Sequence, residues 1–282
     1  MGILTNILDF VAALASIGKV MIMSRRPFAR GKRQDSDELV ILGNGPSLRH
    51  TIDSQLAEVM SRKRLAVNFA ANAPEFSILK PDFYVLADGH FFTGAGSDPN
   101  VERLMKSLSA TSWPMTIFVP CRMKKKLQAI LRGNTNISVK GFNLTPAEGT
   151  ACITHILYAA GLAMPRPRNV LIPSIMIGMR LGFNRIWLCG ADHTWSRTLG
   201  VDDDNMVISV QPHFYKDTAS EQKRVNSEYA GYHLHHILRS LYIAFRSYHM
   251  IAAYAATENV EILNATPGSM IDAFPRKKLT TL

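Results

Sequence analysis

ELVILGNGPSLRH, residues 38–50, joins an apolar run to a glycine turn and then to the start of a helical pattern. The apolar run is short and continuous, as in a strand that is buried on both faces of a sheet. Gly43 and Gly45 can adopt backbone angles that other residues resist, and Pro46 suits the first turn of a helix. The stretch therefore predicts a strand, a tight turn and a helix.

Six further apolar runs are similar to this first one and are separated by helix-sized segments. They are rich in Val, Ile, Leu, Phe and Tyr, and lie at 64–69, 82–87, 115–120, 136–141, 185–190 and 259–264. Parallel strands covered by helices on both faces have this signature. We therefore predict an α/β fold built on a doubly wound, Rossmann-like, mostly parallel sheet.

The composition indicates a globular, basic protein. Of 282 residues, 47% are hydrophobic and 19% are charged, and the formal net charge is +10. Such an excess favours anionic partners without choosing among nucleic acid, a membrane surface and an acidic substrate. Cys121, Cys152 and Cys189 have no zinc-binding spacing, and we interpret them as buried, reduced thiols of a cytosolic protein.

The N-terminal segment has two competing interpretations. Residues 3–23 are mostly apolar but include Asn6, Asp9 and Lys19, and a cluster of arginine and lysine follows at 25–33. The charge order does not fit a secretory signal. An in-plane amphipathic helix with a basic flank fits the internal charges better than a spanning helix. An ordinary core helix is the equally supported alternative.

The chain is accordingly divided into an N-terminal membrane-associating helix with its basic flank, 1–33, and a Rossmann-like catalytic domain, 34–282. Residues 24–37 are interpreted as a linker. The strand pattern lapses after 190, which predicts a lid at about 193–225, and a long helix is expected over 226–257. VDDDNM (201–206) is interpreted as a solvated acidic turn, because it lacks the offsets of a calcium loop.

Ligands of open α/β sheets bind outside the carboxyl ends of the strands, so the residues that follow each strand are candidates. The first turn lacks both the lysine of a P-loop and a complete GxGxxG pattern. Exposed amides at a helix start can nevertheless bind an anion, and a plain tight turn is the even alternative. The candidates at these strand ends are Gly43, Asn44, Gly45, Pro46, Ser47, Asn68, Asp88, His90, Gly190, Asp192, His193 and Thr194.

His213 stands in the predicted lid, in QPHFYKD (211–217) beside Tyr215. A histidine titrates near neutral pH and can act as a general base, although a surface histidine is the simpler interpretation of one such residue. His233, His235 and His236 lack the carboxylate of an HExxH motif, so no metal site is expected there. RMKKK (122–126) is interpreted as a solvated face rather than a nucleic-acid site.

The ordered set of motifs resembles the bacterial sialyltransferases of glycosyltransferase family 42. It also resembles the related domain named after 6-hydroxymethylpterin diphosphokinase. The resemblance runs from about Leu39 to about Phe274 and rests on VILGNGPSL, LAVNF, PDFYVLADGHFF, GADHTW, QPHFY and ILNATPGSMIDAF. It implies a variant of the GT-A glycosyltransferase fold.

The resemblance also implies roles for single residues. His213 would be the catalytic base. The nucleotide would be bound by Gly43, Asn44, Gly45, Pro46, Ser47, Asn68, Asp88, Asn169 and Gly190. The substrate would be contacted by Asp88, His90, Asp192, His193, Thr194 and Tyr215. The chain departs from the sialyltransferases at Asp88 and Thr194, where they carry asparagine and tyrosine.

The function implied is a metal-independent, inverting glycosyltransferase that moves an acidic sugar from a CMP-activated donor to a lipid-linked or surface glycan. No cofactor, metal or nucleic acid is expected. The expected partners are the nucleotide-sugar, the glycan acceptor and an anionic membrane surface, and a homo-oligomer is compatible with the sequence. The location implied is the cytoplasmic, inner face of the membrane. The alternative is a magnesium-dependent, diphosphokinase-like transfer of pyrophosphate from ATP to a pterin, which Asp88 favours slightly.

Overall fold

The computed structural model describes residues 2–33, 38–93, 98–208 and 231–280. Its strands in chain order are β1 (Leu39–Leu42), β2 (Lys63–Val67), β3 (Phe83–Val85), β4 (Met115–Pro120), β5 (Ile137–Phe142), β6 (Arg185–Cys189), β7 (Gly200–Val201), β8 (Val207–Ile208) and β9 (Glu261–Asn264). All seven strands that the sequence predicts are present, each within three residues of its predicted bounds. The fold prediction is confirmed.

The main sheet has the strand order β5-β4-β3-β2-β1-β6-β9, and every neighbouring pair is parallel. β1 lies between β2 and β6, with Leu39 opposite both Lys63 and Ile186. β7 and β8 form a separate antiparallel hairpin. The order changes direction at β1, which is the switch point where open α/β sheets bind their ligands. The carboxyl edge beside the loops after β1 and β6 is called the crevice below.

The helices are α1 (Ile3–Met23), α2 (Ser47–Met60), α3 (Phe76–Leu79), α4 (His90–Thr93), α5 (Pro99–Ser109), α6 (Lys124–Ile130), α7 (Ala151–Ala159), α8 (Leu171–Leu181) and α9 (Leu234–Thr257). They cover both faces of the sheet. Alternate residues of β1 divide between the faces, because side chains in a strand point to opposite sides. Leu39 and Ile41 pack with α8 and α9, whereas Val40 and Leu42 pack with α2.

Glu38 anchors the start of β1 at the edge opposite the crevice. Its buried carboxylate accepts hydrogen bonds from Arg62 Nε, Arg185 Nη1 and Trp187 Nε1, each at 2.7 Å. Burial acts to raise the pKa of Glu38, but these three donors outweigh it and lower the pKa. The cluster ties β1 to β6 and to the end of α2, and it opposes a shift of register in the centre of the sheet.

Three expectations need correction. Residues 24–33 do not form a free linker, because Phe28 is buried against Phe118 and its amide donates to Gly141 O at 3.1 Å. The long helix begins at Leu234 instead of 226: residues 226–230 lie outside the described residues, and Gly231 has a φ of +83° that a helix cannot use. Cys152 is exposed, since it lies on the outer side of α7.

Candidate functional site

Two glycine turns meet at the carboxyl edge, where β1 and β6 end. The Gly43 amide donates to Cys189 O at 2.7 Å, and the Gly45 amide donates to Gly190 O at 2.9 Å. A Cβ atom added to Gly43 would lie 2.4 Å from Gly190 O, and one added to Gly45 would lie 1.9 Å from Asp192 Oδ2. Glycine is therefore required at both positions by the close approach of the neighbouring loop.

Asp192 occupies the start of α2. Its carboxylate accepts the Ser47 hydroxyl at 2.7 Å and the Ser47 amide at 3.3 Å. Burial raises the pKa of Asp192, and the two bonds from Ser47 offset only part of that rise. The helix start therefore already holds an anion, which is the chain's own carboxylate. In a turn that binds phosphate, these amides would instead be free.

Three buried amide atoms at this edge have no partner among the described residues. They are two acceptors, Asn44 Oδ1 and Asn72 Oδ1, and one donor, Asn169 Nδ2. Asn169 Oδ1 is fully used, because it accepts the Leu171 amide at 3.0 Å at the start of α8 and also the Tyr248 hydroxyl at 2.9 Å. Buried polar atoms are nearly always paired, so an unpaired donor and acceptor indicate a place for a ligand or water.

His193 points inward from the loop after β6. It has a φ of +53° and is almost fully buried, and its ring lies 4.1 Å from the Trp195 ring. Its Nε2 lies 2.6 Å from the Tyr248 hydroxyl, which in turn donates to Asn169. Since that hydroxyl has one proton, His193 Nε2–H is the donor. Burial lowers the pKa of His193 to about 3, so the ring is neutral.

The chain of bonds from His193 through Tyr248 to Asn169 joins the β6 loop, α9 and α8. It holds Asn169 so that Nδ2 stays unpaired. His193 therefore ties the loop after β6 to α9 and, through Tyr248, to the start of α8.

Asn68 follows β2 and begins a 3₁₀ turn over Asn68–Asn72 with a φ of +50°. The Tyr84 hydroxyl donates to its carbonyl at 2.5 Å and accepts the Ala71 amide at 2.9 Å. A positive φ is tolerated by asparagine better than by most residues. Tyr84 thus fixes this turn at the same edge of the sheet.

Asp88 and His90 follow β3. Asp88 is exposed and accepts the His90 amide at 2.8 Å. His90 Nε2 lies 2.8 Å from Asp98 Oδ2, and Asp98 also caps α5 by accepting the Asn100 amide. Burial acts to raise the pKa of Asp98, but His90 and the helix amides lower it.

The turn after β9 supports the loop after β6, and its residues were not among the predicted candidates. Thr266 Oγ1 accepts the Ala191 amide at 3.0 Å, and the Ser269 hydroxyl donates to Ala191 O at 2.6 Å. The Met270 amide donates to Asp192 O at 2.9 Å. The same rule of strand ends, applied to the last strand, would have identified Thr266 and Ser269.

The remaining predicted residues are placed as follows. Thr194 begins a 3₁₀ turn over Thr194–Arg197. His213 and Tyr215 lie outside the described residues. Within the described ranges, no three His, Cys, Asp or Glu side chains are placed to hold a metal ion. The acidic run 202–204 is exposed in the turn between β7 and β8.

Comparisons with known proteins find similarity of fold. No family model matches the chain, and no curated protein matches it either. Among solved structures, the chain is similar to the MAf glycosyltransferase from Magnetospirillum magneticum AMB-1, with a TM-score of 0.51 and 12% identity. The match covers 100% of this chain but 39% of that one. At this identity the likeness concerns the fold alone.

Proposed function

We propose that the protein is a glycosyltransferase whose donor binds at the crevice, the carboxyl edge beside the loops after β1 and β6. The observation that carries the proposal is the group of buried, unpaired amide atoms at this edge, which includes the acceptor Asn44 Oδ1 and the donor Asn169 Nδ2. A nucleotide offers both donors and acceptors to such atoms. The fold shared with a glycosyltransferase and the resemblance of the motifs support the same class.

The donor we favour is a CMP-linked acidic sugar such as a sialic acid or Kdo-like residue. The Asp192 carboxylate changes which part of the nucleotide we expect at this turn. It already accepts the hydrogen bond from the Ser47 amide, so that amide is not free to bind a phosphate. A ribose hydroxyl can donate to that carboxylate, whereas a phosphate there would meet like charge. We therefore assign Asn44, Ser47 and Asp192 to the nucleoside. Asn68 and Asp88 complete the donor site from β2 and β3.

The reaction proposed is direct displacement. His213 removes the proton from the acceptor hydroxyl, and the hydroxyl oxygen bonds to the anomeric carbon of the sugar. The bond from that carbon to the phosphate oxygen breaks, and CMP leaves with the electron pair. Attack opposite to the leaving group inverts the anomeric centre. The net charge of +10 favours binding of the anionic donor.

We further propose that residues 1–33 associate with the cytoplasmic face of the inner membrane and that 34–282 carry catalysis there, on a lipid-linked or surface glycan. One described helix segment, Leu4–Met23, has the length and mean hydropathy, 1.6, of a membrane-crossing helix. Its length and composition support association with a membrane.

A ligand screen by thermal unfolding tests the donor class. CMP, CDP, UDP, GDP and ATP are each added with and without Mg²⁺. We expect CMP to stabilise the protein without Mg²⁺, by about 2.7 kcal/mol at one hundred times its Kd. Stabilisation only by ATP with Mg²⁺ would overturn the proposal and favour the diphosphokinase-like alternative.

Replacement of His213 tests the base. We expect His213→Ala to lower transfer by roughly 10²- to 10⁴-fold and to leave stabilisation by CMP unchanged. His249→Ala is the matched control, because His249 is exposed on α9 and pairs with Asp272. Turnover near the wild-type rate in His213→Ala would rule out this role.

A further inference from the structure

α1 is attached to the domain along one narrow stripe. Asp9 O accepts the Thr150 amide at 3.1 Å, and Ser16 Oγ donates to Glu148 O at 3.0 Å. Ser24, which ends the helix, donates to Leu162 O at 2.6 Å. Gly149 permits this approach, because a Cβ there would lie 2.2 Å from Asp9 O. The attachment runs from residue 9 to residue 24, about 22 Å at 1.5 Å per residue.

The outward face of α1 is apolar. Leu4, Ile7, Val11, Leu14, Met21 and Ile22 are 50–80% exposed. The two charged residues of the helix, Asp9 and Lys19, lie away from this face. Asp9 is on the attached stripe, and the Lys19 charge helps to lower the pKa of Glu148, where burial acts in the opposite direction. A helix on a soluble surface has the reverse arrangement, with its polar face outward.

Two basic segments, distant in sequence, meet beyond the end of α1. Arg25 and Arg26 follow the helix directly, and the Cys121 thiol lies 3.8 Å from Arg26 O. Burial raises the pKa of that thiol, and the charges of Lys124 and Arg25 both act against the rise. We name the basic rim as the set Arg25, Arg26, Arg122, Lys124 and Lys125. None of these five has an ion-pair partner among the described residues.

We infer that α1 and the basic rim form one docking surface for an anionic lipid bilayer, with α1 lying in the plane of the membrane. The apolar face enters the boundary between headgroups and acyl chains, and the rim contacts the anionic headgroups. A spanning orientation would take the attached backbone of Thr150 and the charge of Glu148 into the hydrocarbon core. A second copy of the chain is a poorer partner, because it carries the same rim and the same charge of +10.

This inference deepens the membrane location in the proposed function, but it is tested without donor or acceptor. Co-sedimentation is measured with vesicles of phosphatidylcholine and phosphatidylglycerol, and with phosphatidylcholine alone. We expect binding to the mixed vesicles that falls as salt is raised. Loss of CMP binding with intact vesicle binding would count against the proposed function alone. Intact CMP binding without vesicle binding would count against this inference and the proposed membrane location, and would leave the proposed transfer reaction untouched.

Paired variants separate the two parts of the surface. Val11→Glu with Ile22→Glu is expected to abolish vesicle binding, whereas Leu56→Glu with Ile78→Glu makes the same change of charge on α2 and α3 and should not. Lys124→Gln with Lys125→Gln should weaken binding about fivefold per charge removed. Lys277→Gln with Lys278→Gln is its control. Equal effects in a pair and its control would contradict the assignment.

Orientation is read from tryptophans introduced by Leu4→Trp, Leu14→Trp and Ile22→Trp, with brominated lipids as depth-dependent quenchers. An in-plane helix gives three similar, shallow depths. A deep Leu14→Trp between shallow ends would show a span and overturn the inference. A second result would also overturn the inference. This is a wild-type protein that does not bind vesicles but forms a dimer without lipid, where Val11→Glu with Ile22→Glu dissociates the dimer.

Discussion

Gly45 shows how one missing side chain shapes the crevice. The sequence predicted a need for unusual backbone angles, but the actual constraint is the Asp192 carboxylate beside it. Asp192 is distant in sequence, and only the pairing of β1 with β6 brings it near. The nature of the contact was therefore beyond prediction, although the grouping of both loops at one edge followed from the parallel strands.

We expect Gly45→Ala to destabilise the protein by about 1 to 3 kcal/mol, because the added methyl must displace the carboxylate or the backbone. Urea unfolding measures the change. Gly133→Ala is the control, since nothing lies within 4 Å of a Cβ there. Equal urea midpoints for the two variants would contradict this expectation, because they would show that the added methyl at residue 45 does not lower the free energy of unfolding.

α9 has a structural role at the crevice that its helical pattern does not reveal. The sequence placed Tyr248 only within the long helix expected over 226–257, yet its hydroxyl joins His193 to Asn169. The resemblance implies that His193 contacts substrate, which stays a prediction. The bond from its ring to Tyr248 accompanies a backbone turn with positive φ, and no local sequence pattern indicates such a turn.

Tyr248→Phe keeps the packed ring and removes the hydroxyl, which leaves His193 Nε2 buried without a partner. We expect a loss of about 1 to 3 kcal/mol in the free energy of unfolding. Tyr242→Phe, on the same helix but 63% exposed, should change it by less than about 0.5 kcal/mol. Denaturation curves of the two variants measure the difference. An unchanged free energy of unfolding in Tyr248→Phe would contradict the proposed role of its hydroxyl.

At the scale of the whole molecule, the alternation of apolar runs was sufficient to predict the sheet, because buried parallel strands are continuous in apolarity. The pattern of α1 predicted a helix, with an amphipathic surface helix and an ordinary core helix as even alternatives. Which side faces the domain depends on the approach of Gly149 to Asp9 and on the bond from Ser16 to Glu148, and both are tertiary contacts. The sequence could not predict that Arg25 and Lys124 lie near the same thiol, because they are distant along the chain. RMKKK was therefore interpreted only as a solvated face.

Stability should be uneven across the molecule. α1 is little buried, whereas β1 and β6 are buried on both faces, so we expect amides of α1 to exchange hydrogen much faster than those of the two strands. Anionic vesicles should slow exchange in α1 and leave the strands unchanged. Hydrogen exchange with mass spectrometry measures both, and uniform protection in the absence of lipid would contradict this expectation.

The position of β1 between β2 and β6 has a consequence for synthesis. Ile186, the partner of Leu39 on β6, emerges from the ribosome 147 residues after it. At 5–20 residues per second, this takes roughly 7 to 30 seconds. During that interval one edge of an apolar strand has no neighbour, and such edges pair readily with other chains. α1 emerges before that strand, so a nascent chain already held at a bilayer would be kept apart from other open edges until its own β6 arrives.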